Sequence, residues 1–180
     1  FSSPLLFVLT SFLLSFTSPL SGAKGIKEAL FTWTDSPATT MNVIWLVKDN
    51  DPTLTILDMR NNKIGNAGAK ALAKTLKVNT TLTELYIHMN KIGVDGATAL
   101  AEALQFNKTL TLLDIGFNKI GVKGAKAIAE VLKENKTLTK LNVDYNNIGV
   151  DGAKALAEAL KVNTTLTTLY IGLNNIGDAG

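Results

Sequence analysis

The chain has 180 residues, no cysteine, and 18 basic against 15 acidic side chains. Without cysteine it has no disulfide framework, no thiolate metal site and no cysteine nucleophile, and it leans towards a reducing compartment. A charge balance this even supplies no basic face for nucleic acid, while the length suffices for one or two domains with a substantial core.

The first 52 residues differ from the rest: all four prolines (Pro4, Pro19, Pro37, Pro52) lie there, and 12 of the 14 glycines come later. Leu5 to Phe16 is a 12-residue apolar run followed by the small residues Ser21-Gly22-Ala23, the pattern of a secretory signal and its cleavage site. It is short for a membrane span, so no stable membrane insertion is expected. No positive charge precedes the run, the chain starts at Phe1, and its first methionine is Met41. Three readings stay open: a truncated signal, the end of an upstream domain, or translated non-coding sequence before a start at Met41. Residues 1–40 are therefore taken as an apolar leader or upstream fragment without fixed structure. Val43, Ile44, Leu46 and Val47, ahead of Asn50-Asp51-Pro52-Thr53, read as a degenerate capping helix over 41–52, with Trp45 adding to its cover of the first strand.

From Thr53 the sequence repeats every 28 residues without insertion, giving four complete units and a fifth that stops at Gly180. A period of that size marks a solenoid. Each unit opens with L-x-x-L-x-L: Leu54, Leu57 and Met59 in the first, Leu110, Leu113 and Ile115 in the third. That spacing predicts a short strand with alternate residues on one side, and stacked copies pair into a parallel sheet. Asn62, Asn90, Asn118, Asn146 and Asn174 follow at constant offset. A short amide at that bend can satisfy backbone groups freed at the strand end and form a ladder with its copies, a structural role.

The second half of each unit predicts a helix. Ala69, Leu72, Ala73 and Leu76 form an i, i+3, i+4, i+7 stripe, repeated down to Ala153, Leu156, Ala157 and Leu160. Gly68, Gly96, Gly124 and Gly152 are expected to open the helices where backbones approach closely, with Asp95 and Asp151 as N-caps. Asn79, Asn107, Asn135 and Asn163 each begin an N-x-Thr sequon. They fall at the helix-to-strand turn, where asparagine takes the left-handed conformation that ends a helix, so the repeat accounts for them without glycosylation.

The pattern LxxLxLxxNxIGxxGAxxLAxxL over residues 53–180 resembles the ribonuclease-inhibitor class of leucine-rich repeats. It is similar to the arrays of NOD-like receptors and of Ran GTPase-activating proteins. The resemblance implies an α/β solenoid, or horseshoe, with parallel strands on the concave face and helices on the convex face. It also implies binding of another protein on the concave face, as in the sensor part of a NOD-like receptor. Further repeats of the same chain are expected beyond Gly180, and a cytoplasmic location, or a secreted one if residues 1–23 are a truncated signal. Secreted arrays tend to resemble Cys-capped families, and no such cap is present.

Function is expected where positions vary on this fixed scaffold. Three columns of outward residues run across the units: Asp58, Tyr86, Asp114, Asn142, Tyr170; then Arg60, His88, Gly116, Asp144, Gly172; then Asn61, Met89, Phe117, Tyr145, Leu173. The third column holds large apolar side chains about 5 Å apart, a composition typical of interface centres, although packing against neighbours at the sheet edge would account for it too. The expected partner surface comprises Asp58, Arg60, Tyr86, His88, Met89, Asp114, Phe117, Asn142, Asp144, Tyr145, Tyr170 and Leu173.

An enzyme is not expected. His88 is the one histidine, and Asp114 and Asp144, placed to face each other across adjacent units, lack an acid–base partner. The glycines recur as G-x-x-G without the Lys-Ser/Thr of a phosphate loop. No cofactor or metal is implied. The other functional class is a regulatory GTPase activator of the Ran type, an analogy carried by no matched motif residue.

Overall fold

The computed structural model describes residues 30–33, 41–44 and 54–178. Two strands come first, β1 (Leu30–Trp33) and β2 (Met41–Ile44), paired antiparallel with Leu30 opposite Ile44. The repeats follow as β3 (Ile56–Asp58), α1 (Gly65–Leu76), β4 (Glu84–Tyr86), α2 (Val94–Phe106), β5 (Leu112–Asp114), α3 (Gly121–Leu132), β6 (Lys140–Asn142), α4 (Gly149–Leu160) and β7 (Thr168–Tyr170). Strands β3 to β7 form one parallel sheet in sequence order, with Leu57, Leu85, Leu113, Leu141 and Leu169 in register. The expected α/β leucine-rich repeat solenoid is what the chain forms.

The start of the chain departs from expectation. Met41–Ile44, placed in a helix by the apolar spacing, are a strand, and β2 lies beside α1. Val43 and Ile44 are β-branched and favour extended backbone, and their strand pairs with Leu30–Trp33. That partner strand comes from the segment read as a structureless leader. The apolar run 5–16 and the remainder of the expected capping helix, 45–52, lie outside the described residues. Among the described residues no helix is long and apolar enough to cross a membrane.

The core is one layer between sheet and helices, built from the residues that the spacing selected. Leu57, Leu85, Leu113 and Leu141 are buried from the strands, and Ala69, Leu72, Leu100, Ile128 and Leu156 from the helices. The stripe fails only in α4, where Ala157 and Leu160 remain exposed because no described helix packs on that side.

Two asparagine ladders sew the units together. The Asn118 side chain donates to the carbonyls of Ile87, Ile115 and Gly116 and accepts from the amides of Asn90 and Ile92, so it ties its own turn to the preceding one. Asn90, Asn146 and Asn174 repeat the arrangement. The sequon asparagines form the second ladder: Asn107 donates to the carbonyls of Leu76 and Asn79 and accepts from the amides of Thr109 and Leu110. Asn107 and Asn135 are 2% and 3% exposed, engaged in protein hydrogen bonds. Their expected left-handed backbone is not found. Asn107 is extended, at φ −69° and ψ 130°, because its side chain, not its own turn, satisfies the neighbouring carbonyls. A third ladder of threonine hydroxyls, Thr83 to Thr55 O and onward to Thr167, runs along the strand entrance.

Helix starts also differ in detail. Gly96, Gly124 and Gly152 sit inside the first turn and are buried, and neither Asp95 nor Asp151 caps. Those carboxylates point across the convex face to the preceding helix, Lys70 to Asp95 at 3.0 Å and Lys126 to Asp151 at 3.3 Å. Asn66 occupies a place held by valine in the next three units, and its side chain accepts the amides of Gly93 and Gly96. Gly93 is thereby kept at φ −101°, whereas Gly65, Gly121 and Gly149 are left-handed, and α2 starts at Val94.

The buried glycines set the helix spacing. A Cβ on Gly96 would lie 2.7 Å from Ile92 Cγ2 and 2.8 Å from Ala69 Cβ on α1. Gly96→Ala should therefore lower stability by about 1–3 kcal/mol through overpacking, even though alanine gains about 1 kcal/mol in helix propensity. The urea midpoint reads the outcome; an unchanged or raised midpoint would mean that this contact does not hold α1 and α2 apart.

Candidate partner-binding surface

The residues that precede and follow each strand fix where function can lie. Odd-numbered strand positions such as Leu57 and Met59 face the helices, so Asp58, Arg60 and their counterparts face away from them on the concave side. The first two columns form a polar floor whose groups are largely occupied with one another. Arg60 lies 2.6 Å from Asp58, and Tyr86 donates to Glu84 at 2.8 Å. His88 Nδ1 is 2.8 Å from Asp114 on the next strand. Asp114 also accepts the Gly116 amide, Asn142 the Asp144 amide, and Asp144 the Gly172 amide. Asp114 and Asp144 are thus each engaged with main chain, not arranged as an acid–base pair. Tyr170 completes the first column and is exposed, on the last strand of the sheet.

Charge on this floor follows from these contacts. Burial would push the Asp58 carboxyl up, but hydrogen bonds from the Arg60 side chain and backbone hold it below its ordinary value. Burial, then the hydrogen bond to Glu84 and the negative charges of Glu84 and Asp114, push Tyr86 up from 10.0 to about 12. The unfolded chain gives up this proton first as pH rises, so the folded state binds more protons between the two values and stability falls from pH about 10 towards about 12. Tyr86→Phe should delete the ionisation near 12 from the ultraviolet phenolate titration and flatten that fall. Loss of an ionisation near 10 instead would show that Tyr86 is not enclosed against Glu84.

The third column is different in kind. Met89, Phe117 and Tyr145 are each 48% exposed and Leu173 is 70% exposed. Phe117 and Tyr145 stack with ring centroids 4.6 Å apart and 12° between planes. Phe117 and Tyr145 thus pack on one another, and the column still stands about half or more in solvent, not covered at the sheet edge. Their backbones are left-handed, with φ of 59° at Met89, 51° at Phe117, 55° at Tyr145 and 54° at Leu173. That region disfavours side chains by about 1–2 kcal/mol per residue. The first unit places Asn61 there, a residue that tolerates the conformation. A bulky apolar side chain in this conformation, half in water, contributes little to the fold.

Two rows escaped the three-column reading. Ile56, Glu84, Leu112, Lys140 and Thr168 share the concave side, and Ile56 is 41% exposed. Strict alternation from Asp58 backwards would have found them. Lys63, Lys91 and Lys119, with Asn147 and Asn175, form an exposed row two residues beyond the ridge, separated from it by the buried Asn ladder. Their offset from the ladder asparagine was visible in the repeat, but nothing in the spacing says that they stand beside the ridge.

Comparison with known proteins agrees with this architecture. The Leucine Rich repeat family matches residues 50–73, 78–101, 106–129, 134–157 and 162–180, together more than half of the chain. No curated protein sequence matches it. Among solved structures, the actin-binding site 2 of leiomodin-1 is 32% identical, with a TM-score of 0.66, covering 69% of this chain and 73% of that one. The C-terminal domain of a Caenorhabditis elegans tropomodulin, 14% identical with a TM-score of 0.62, covers 67% and 75% and shares the fold.

Proposed function

The chain belongs to the leucine-rich repeat family, and from that premise we propose that it holds a protein partner against the concave side of the array, centred on the ridge of Met89, Phe117, Tyr145 and Leu173. One observation carries the reading: large apolar side chains are kept half exposed in a left-handed backbone where asparagine would be cheaper. Strain retained at solvent-facing positions is characteristic of functional surfaces, and a contiguous exposed apolar ridge on a protein marks an interaction site. The polar floor beside it, Asp58 to Asp144, supplies the rim, its mutual contacts fixing side-chain positions before the partner arrives.

Actin is the partner to test first, because the leiomodin-1 structure that this chain resembles at 32% identity is an actin-binding site. Co-sedimentation with filamentous actin and gel filtration with monomeric actin test it directly. Retention in either favours actin; absence in both removes actin while leaving the ridge as the surface for another protein. The readings as a NOD-like sensor or as a Ran-type GTPase activator gain no support from the relatives found.

A further inference from the structure

The ridge has a neighbour that the concave floor lacks. Lys63, Lys91 and Lys119 lie two residues after Asn61, Met89 and Phe117, no more than about 7.6 Å away as two Cα steps, and all three are exposed. On the convex side some lysines pair with carboxylates, Lys70 with Asp95, Lys126 with Asp151, Lys133 with Glu130 and Lys161 with Glu158, while among the described residues Lys74, Lys123 and Lys154 do not. Among the described residues the loop row has no carboxylate within ion-pair distance. The strand-exit edge therefore carries two parallel rows, one apolar and one cationic without counter-charge, each advancing one strand spacing per unit.

That spacing discriminates between partner conformations. Neighbouring strands lie about 4.8 Å apart. Same-face residues of an α-helix recur every three or four positions, a rise of about 4.5–6 Å. Same-face residues of an extended segment recur about 6.6 Å apart and lose register within two units. Four ridge residues span three spacings, about 14 Å, or roughly ten residues of helix.

We propose that this edge docks an acidic amphipathic α-helix of a partner protein, its apolar stripe on Met89, Phe117, Tyr145 and Leu173 and its flanking carboxylates on Lys63, Lys91 and Lys119. The inference rests on the ridge being the partner surface and adds the chemistry and shape of what binds there. An apolar stripe seated in register gives affinity, and the lysine row orients the helix and excludes basic ones.

The test is fluorescence anisotropy of the full 180-residue chain with three labelled synthetic peptides of equal length. One is helical with a leucine stripe flanked by glutamates, one has glutamine for glutamate, and one alternates leucine and glutamate as a strand would. The first should bind, with the glutamine peptide weaker by about tenfold and the alternating peptide weaker still. Lys63→Glu/Lys91→Glu/Lys119→Glu should weaken the first peptide by about tenfold or more. Lys74→Glu/Lys123→Glu/Lys154→Glu, with the same change in net charge on exposed helix positions, should cost less than about threefold. The proposal is overturned if the helical acidic peptide does not bind, if the glutamine peptide binds equally, or if the two triple variants behave alike. Binding instead to phosphatidylserine–phosphatidylcholine vesicles, with loss on Phe117→Ala/Tyr145→Ala, would assign the edge to an anionic lipid surface and overturn it too. Should the peptides fail while capture of a protein partner still depends on Phe117 and Tyr145, the helix inference falls alone and the ridge reading stands.

Discussion

Asn118→Ala should destabilise the array by about 3–5 kcal/mol, a large share of the roughly 5–15 kcal/mol that a domain commands. Asn118 is 5% exposed, and its one amide serves five main-chain groups in two successive turns. Alanine strands the buried amides of Asn90 and Ile92, each at about 1–3 kcal/mol, while the three carbonyls keep a second donor: Asn90 Nδ2 on Ile87, Asn146 Nδ2 on Ile115 and the Met89 amide on Gly116. The internal control is Asn62, at the same offset in the first unit. Among the described residues its side chain donates only to the Arg60 carbonyl, and it is partly exposed, so Asn62→Ala should cost under about 1 kcal/mol. Urea unfolding of both variants reads the difference. Similar losses at the two positions would show that the ladder's value lies in local turn geometry and not in its bonds to the neighbouring unit.

The second large effect is on binding and spares the fold. Phe117→Ala/Tyr145→Ala should weaken partner affinity by about a hundredfold or more, the range of paired aromatic hot spots. The cost to stability should be small. The pair loses a stacking interaction worth about 0.5–1.5 kcal/mol, and both side chains are already half in water. The glycine version, Phe117→Gly/Tyr145→Gly, sharpens the contrast. It removes the same side chains but relieves about 1–2 kcal/mol of left-handed strain at each position, so it should unfold no earlier than the alanine version. If the glycine variant is the less stable of the two, the backbone strain argued for the ridge is not present.

Much of this molecule was written into its repeat. The 28-residue period located every strand and helix from residue 54 onward, and the constant asparagine announced its ladder, because both follow from one unit stacking on its own copy. What the repeat could not convey is what a single turn does with its backbone. The left-handed φ at Phe117 and Tyr145 leaves no trace in their identity, since bulky residues are the last expected there. Asp95 and Asp151 have the composition of caps, yet the lysines one unit earlier claim them, a contact 25 residues away that no local rule weighs. Asn66 shows the same limit: one departure from valine captures two amides of the next unit and moves a helix start. Before residue 54 no period exists, and the apolar spacing around Val43 and Ile44 fitted a helix as well as the strand that forms.

In the proposed reading the ridge holds the partner and the ladders hold the fold. The most direct test is quantitative affinity capture from the native source on three immobilised forms with matched unfolding temperatures: wild type, Phe117→Ala/Tyr145→Ala, and a convex-face control, Lys126→Ala/Lys154→Ala. Proteins should be retained by wild type and by the convex-face control but lost from the ridge variant. A retained set that is the same on all three forms would contradict that reading.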